Sequence, residues 1–239
     1  MKIYVNTFVF KDEYNVPMKQ EVLFPMLAAE GFNEVELRRE YIKDIEKELP
    51  LIEKSAKQNE ISLLYAVVDT YYKEGILDKK SVNQYIHEAK VMGAKTLKLM
   101  PGDFTSLSKE DSVYFNKLED NGIQLLLENG QKSTPETMKA FVEQCEKHGI
   151  DMKITFDLGN WVWSNQDIPM VAEILKPWVY AVHLKDGANV DGSLKVVPIG
   201  EGVTDWKKVV DILSPARFAL EYGCGANAIE NMKKELSKL

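Results

Sequence analysis

Cysteine is nearly missing from this 239-residue chain: only Cys145 and Cys224 occur, far apart and outside any CxxC pair. Nothing therefore requires a disulfide, and two reduced thiols fit a cytoplasmic location. An excess of basic charge is missing too. The formal net charge is −7, which argues against nonspecific binding to nucleic acid or an anionic membrane, because both need positive charge. No apolar run reaches membrane-spanning length, and the opening MKIYVNTFVFKDE lacks a signal-peptide cleavage pattern. No GxGxxG follows the first expected strand and no Walker motif occurs, so dinucleotide-binding and P-loop folds lose their main sequence support. Linkers and low-complexity runs are also lacking, so residues 1–239 read as one domain.

What is there is an alternation. With 45% hydrophobic and 28% charged residues, the composition is that of an ordinary soluble globular chain. Strands are expected at 2–10 (KIYVNTFVF), 34–38, 61–68, 95–101, 123–128, 152–157, 178–186 and 218–221, from β-branched and aromatic runs bounded by turn residues. Helices are expected at 17–30, 43–59, 78–92, 108–120, 134–148, 167–175, 205–213 and 226–236. Asp78, Ser108, Thr134 and Asp167 stand where caps belong, and Gly93 and Gly149 where helices stop. Pro50 should kink or split the second helix. Eight strands alternating with eight helices, at about 30 residues per unit, imply a parallel sheet closed into a single (β/α)8 TIM barrel.

Functional residues of such a barrel sit at the C-terminal strand ends. Four consecutive strands end in a metal-binding type of side chain: Glu128, Asp157, His183 and Glu221, one repeat unit apart. A charge on the last residue of a buried strand is costly unless it is paired. If these four point inward, alternation sends Thr155, Ala181, Lys185 and Ala219 inward as well, and turns Leu127, Phe156, Val182 and Leu220 outward. One such residue alone would read as a solvated loop group or a cap, but four in register read as a metal site. His87 and His148 fall on helices and read as surface residues. Three carboxylates and an imidazole suit one divalent ion, Mn²⁺ first, with Mg²⁺, Co²⁺ or Zn²⁺ as alternatives. Such an ion would stabilise an enediolate while Glu128 and Glu221 move the proton between them. Asn6, Glu36, Arg38, Tyr65 and Lys98 are further inward candidates, with a Glu36–Arg38 ion pair as the structural alternative. Arg38, Lys98 and Lys185 are suited to bind substrate hydroxyls or an anionic group. Trp161 and Trp163 are read equally as a pocket wall or as core.

Over nearly its whole length the chain resembles the xylose-isomerase-like TIM barrels, the sugar phosphate isomerase/epimerase group. VELR (35–38), LLLEN (125–129), FDLGN (156–160), VHLKD (182–186), PIGEGVTDW (198–206) and ALEYG (219–223) carry the resemblance. It implies metal ligation by Glu128, Asp157, His183 and Glu221, with Glu128 and Glu221 as catalytic acid and base. It also implies a substrate-binding position at Asn160, where the family often has histidine. The arginine often found after HxKD has no counterpart in GANVDGSLKVV (187–197). The family's trinuclear zinc endonucleases need extra histidines where this chain has AVVD and LMPGD, so DNA repair is not expected. The expected function is thus a metal-dependent isomerase or epimerase acting on a small sugar or hydroxy-ketone, with a carbohydrate as its partner and no membrane or nucleic acid. A dehydratase of a polyol ketone and a non-catalytic sugar-binding barrel are the alternatives. A homo-oligomer is expected by analogy alone.

Overall fold

The computed structural model describes residues 2–14, 18–119, 122–214 and 216–239. Among these residues, eight barrel strands run parallel. The first comes in two pieces, Lys2–Ile3 and Val5–Asn6; the others are Glu34–Arg38, Ser62–Lys73, Thr96–Gly102, Gln124–Glu128, Lys153–Asp157, Val179–Leu184 and Arg217–Leu220. Each pairs with the next, and the first closes on the eighth. Tyr4 bridges the two pieces by donating its N–H to Phe218 O at 3.0 Å. The expected TIM barrel is therefore the fold.

Alternation builds two apolar layers. Leu127, Phe156, Val182 and Leu220 pack outward against the helices in the main core, while Tyr4, Leu64, Ala181 and Ala219 form a small cluster inside the barrel. Each fully buried large apolar side chain contributes about 1.5–3 kcal/mol relative to exposure, which pins the register. A slip of one residue would turn the whole outward set into the barrel. Register sets Asp157 beside His183 and His183 beside Ala219, two residues before Glu221. Caps fix where the helices start: the Asp78, Thr134, Asp167 and Asp205 side chains each accept from the backbone N–H three residues on.

Several local expectations are corrected. Strand one stops at Asn6, and Thr7–Phe10 is a 3-10 turn. The Asn6 side chain accepts from Phe8 N at 2.9 Å, and the apolar Val9 and Phe10 serve the core instead of a strand. Pro17 lies outside the described residues, and 17–30 resolves into a 3-10 turn at Gln20–Leu23 and a helix at Phe24–Ala29. Pro50 splits nothing, since Ile45–Gln58 is one helix. The third strand runs on to Lys73 past a register shift between Ala66 and Thr70, then pairs back with Ile76–Leu77. The end of the expected helix at 120 falls outside the described residues.

Two elements at the site were not expected. A short helix, Leu158–Trp163, starts directly at Asp157, whose carboxylate accepts from Asn160 N at 2.8 Å. The segment after strand seven is a hairpin, Asp186–Val190 paired with Ser193–Val197. Its strands lie apart from the barrel sheet; the second is almost wholly exposed, while the first begins with the buried Asp186 and Gly187, so no strong alternating pattern marks them in the sequence.

Candidate metal centre

Strands five to eight deliver Glu128, Asp157, His183 and Glu221 to one point, where one donor atom from each lies within 4.8 Å of all the others. His183 is fully buried, and Asp157 and Glu221 nearly so. His183 Nδ1 is 2.8 Å from Glu128 Oε1, 3.3 Å from Glu221 Oε1 and 4.0 Å from Asp157 Oδ2. Even so, Nδ1 has no hydrogen-bond partner: it is aimed among the carboxylates instead of along a hydrogen bond to any of them. The opposite ring nitrogen, Nε2, faces Glu36 at 3.2 Å. An orphaned, buried imidazole nitrogen among three carboxylates, with a carboxylate behind the ring, is the arrangement a metal-ligating histidine needs. The residues present fit a divalent cation.

Cationic side chains hold the carboxylates in place. Lys98 Nζ sits 2.9 Å from Glu36 Oε1 and 2.8 Å from Glu128 Oε1. Lys185 Nζ joins Asp157 Oδ2 and Glu221 Oε2, each at 2.7 Å. Arg38 Nη1 donates to Glu221 Oε1 at 2.8 Å and its Nε to Glu40 at 2.6 Å. Asn6 Nδ2 donates to Glu36 Oε1 at 2.9 Å. The alternative Glu36–Arg38 pair is not what forms: the two turn to different partners. Gly159 lets Lys185 reach its place, since a Cβ there would come 2.4 Å from Lys185 Cγ.

These contacts set the protonation states. Burial pushes Glu36 upward, but Lys98 and His183 outweigh it and hold the carboxyl at about 2. Glu128 and Glu221 are likewise held down against burial, by Lys98 and by Lys185 respectively. Burial carries Asp157 the other way, up to about 7, with Glu221 and Glu128 adding to it against Lys185. Burial and Lys98 push His183 down, yet Glu221 and Glu36 raise it well above its ordinary value. Placed at the centre of these acids, positive charge is stabilised whether it arrives as a proton or as a metal ion.

The cluster floors a cavity of about 690 Å³ that Arg38, Glu128, Asp157, Asn160, Lys185 and Glu221 all help to line. Other expected contacts lie elsewhere. Asn6, Glu36 and Lys98 are almost fully buried and brace the cluster from below. Trp161 is corrected from pocket wall to core: it is fully buried and packs 5.9 Å from Phe156. Asn160 lines the cavity but spends its amide on Asn129 O at 2.9 Å.

Sequence reading missed two residues. The first is Asn129. Buried, it exchanges two hydrogen bonds with the Asp157 backbone, through Asn129 Nδ2 at 2.9 Å and Oδ1 at 2.8 Å, and so ties strand five to strand six. Asp186 accepts from the backbone N–H groups of Gly187, Gly200, Gly202 and Thr204 at 2.8–3.3 Å, which fixes the turn beside Lys185. A Cβ at Gly202 would come 2.3 Å from Asp186 Oδ1. For Asn129 the one signal was a short polar side chain immediately after the strand-end donor Glu128.

Residues 24–239 match a family model described as xylose isomerase-like TIM barrel. No curated protein matches the chain significantly. Solved structures of similar shape include the probable 3-DHS dehydratase AsbF of Bacillus anthracis, at 16% identity and TM-score 0.68, covering 99% of this chain and 98% of that one. An L-ribulose 3-epimerase matches at 16% identity and TM-score 0.67, over 99% and 86% of the two chains. A family 2 AP endonuclease from Brucella melitensis matches at 17% identity and TM-score 0.64, over 95% of each chain. At such identities the likeness is one of fold, and the three neighbours carry three different descriptions.

Proposed function

The chain belongs to the xylose isomerase-like TIM-barrel family, and we propose that it is a divalent-metal-dependent isomerase or epimerase of a small sugar or hydroxy-ketone. One observation carries this reading: four donor atoms within 4.8 Å at a cavity floor, with His183 Nδ1 buried among them and unpartnered. Glu128, Asp157, His183 and Glu221 would hold the cation. When bound, the cation supplies Lewis-acid stabilisation of negative charge on neighbouring substrate oxygens, and Mn²⁺ suits the three-carboxylate, one-imidazole set.

The chain's own residues do the rest. Glu128 and Glu221 come from the two outer strands of the four and both border the cavity, so they face a bound substrate from different sides. Lys98 holds Glu128 ionised, while Lys185 and Arg38 do the same for Glu221. An ionised carboxylate accepts a proton from the carbon beside the carbonyl, and the partner glutamate, once protonated, returns one. Asn129 and the cap at Asn160 fix Asp157, and Glu36 orients the His183 ring.

Elemental analysis and solvent-deuterium incorporation into a ketose panel test the reading. Purified protein should carry about one divalent ion per chain, and Glu128→Gln should cut exchange by roughly 10²–10⁴-fold. Protein that binds no divalent metal, with exchange unaffected by Glu128→Gln, refutes it. A product lighter by one water assigns the same proton abstraction to a dehydratase instead. Binding without turnover across the panel would favour a non-catalytic barrel.

A further inference from the structure

Above its charged floor, the cavity changes character. Phe8, Val68, Met100, Phe104 and Val196 line its outer part. Val68 and Val196 are 62% and 46% exposed, large apolar side chains left open at the mouth of a charged site. Val196 comes from the hairpin after strand seven, so that hairpin brings an apolar group to the cavity.

Of the polar side chains that line the cavity, Gln131 and Lys132 are exposed and open, while several others are committed to the protein itself. Thr70 Oγ1 donates to Tyr72 O at 2.9 Å. Thr137 Oγ1 pairs with Thr134 Oγ1 at 3.1 Å, and Ser133 Oγ accepts from Gly130 N at 2.9 Å. Asp103 accepts from Glu74 N at 3.0 Å, and the Asn160 amide donates to Asn129 O. Lower down, Arg38 and Lys185 are bound to carboxylates. A fully hydroxylated chain packed against Val68 and Val196 would lose water without gaining a partner from either side chain, which penalises each hydroxyl buried there. An apolar group would cover Val68 and Val196 and gain by it. The cavity volume also falls in the range of roughly 300–1,000 Å³ that accommodates drug-sized ligands, with room beyond a short ketone.

We propose that the substrate is an amphipathic hydroxy-ketone, with the reacting carbonyl and hydroxyl at the carboxylate cluster and an alkyl or aryl group in the apolar outer cavity. This rests on the reading of the cluster as a metal-assisted proton-transfer site, but it makes a separate claim about what lies beyond the reacting carbons.

The test is calorimetric titration of the full chain, with and without Mn²⁺, using hydroxyacetone and its straight-chain homologues up to the six-carbon member. Kd should fall roughly fourfold for each added methylene, the equivalent of ~0.8 kcal/mol per buried CH₂. The double variant Val68→Ser, Val196→Ser should flatten that slope; both positions are exposed, so the fold is not at stake. A Kd that stays flat with chain length, together with tighter binding of a ketohexose than of the six-carbon hydroxyalkanone, overturns the proposal. So does a double variant that changes the oligomeric state and leaves the slope intact, which would assign the apolar rim to a second copy of the chain. If no member of the series exchanges deuterium while the slope persists, the proton-transfer reading fails and only the claim about apolar binding in the outer cavity stands.

Discussion

Replacing Lys98 by methionine removes one charge and keeps most of the side-chain volume. Lys98 is 2% exposed and its ammonium touches Glu36 and Glu128 at 2.9 and 2.8 Å. Removing one partner of a buried pair costs about 3–5 kcal/mol, because the remaining charge stays buried without compensation. Glu36, at 1% side-chain exposure, keeps Asn6 and His183 as partners, and Glu128, at 15%, keeps some solvent. The lower end is therefore expected, about 3 kcal/mol. For a domain of this size that corresponds to a fall in Tm of roughly 6–12 °C. Thermal unfolding in EDTA, followed by circular dichroism, reads it directly. Saturating Mn²⁺ should then recover more stability in the variant than in the parent, because the uncompensated carboxylates attract the cation more strongly. A variant that melts within about 2 °C of the parent in EDTA refutes the idea that Lys98 compensates the cluster.

Glu36→Gln removes the carboxylate behind His183 and should weaken metal binding about 10–100-fold, measured by competition with a chelating dye. Asp186→Asn replaces a carboxylate that accepts four backbone N–H groups with an amide whose NH₂ cannot accept. A loss of about 1–3 kcal/mol is expected, with faster hydrogen exchange at Gly200, Gly202 and Thr204. Glu88 supplies a pH test. Burial raises its pKa, but hydrogen bonds from Arg39, Tyr65 and Gln84 outweigh burial and leave the folded-state value below the ordinary one. Its contribution is therefore present above the unfolded value of about 4.3 and is lost as pH falls through the folded value. Urea midpoints of Glu88→Gln and the parent should differ at pH 7 and converge toward pH 3; a gap of constant size would refute the linkage.

The barrel was legible in the sequence because its signals are local. Period-two strands, caps such as Asp78 and Thr134, and stops such as Gly93 act over a few residues, and the structure places them where they were read. The convergence of Glu128, Asp157, His183 and Glu221 was legible for the same reason: four equivalent positions on adjacent parallel strands must share one end of the barrel. The hairpin Asp186–Val197 and the early end of strand one at Asn6 were not, because a side-chain cap and a surface pairing leave little periodicity.

Sequence by itself thus determined the repeat, the strand polarity and the four residues that meet. Tertiary structure alone decided the partners, because choices between nearby charges depend on ångström distances that chain spacing does not encode. It sent Glu36 to Lys98 and His183 rather than to Arg38, buried Trp161 in the core, and left His183 Nδ1 among three carboxylates without a hydrogen bond.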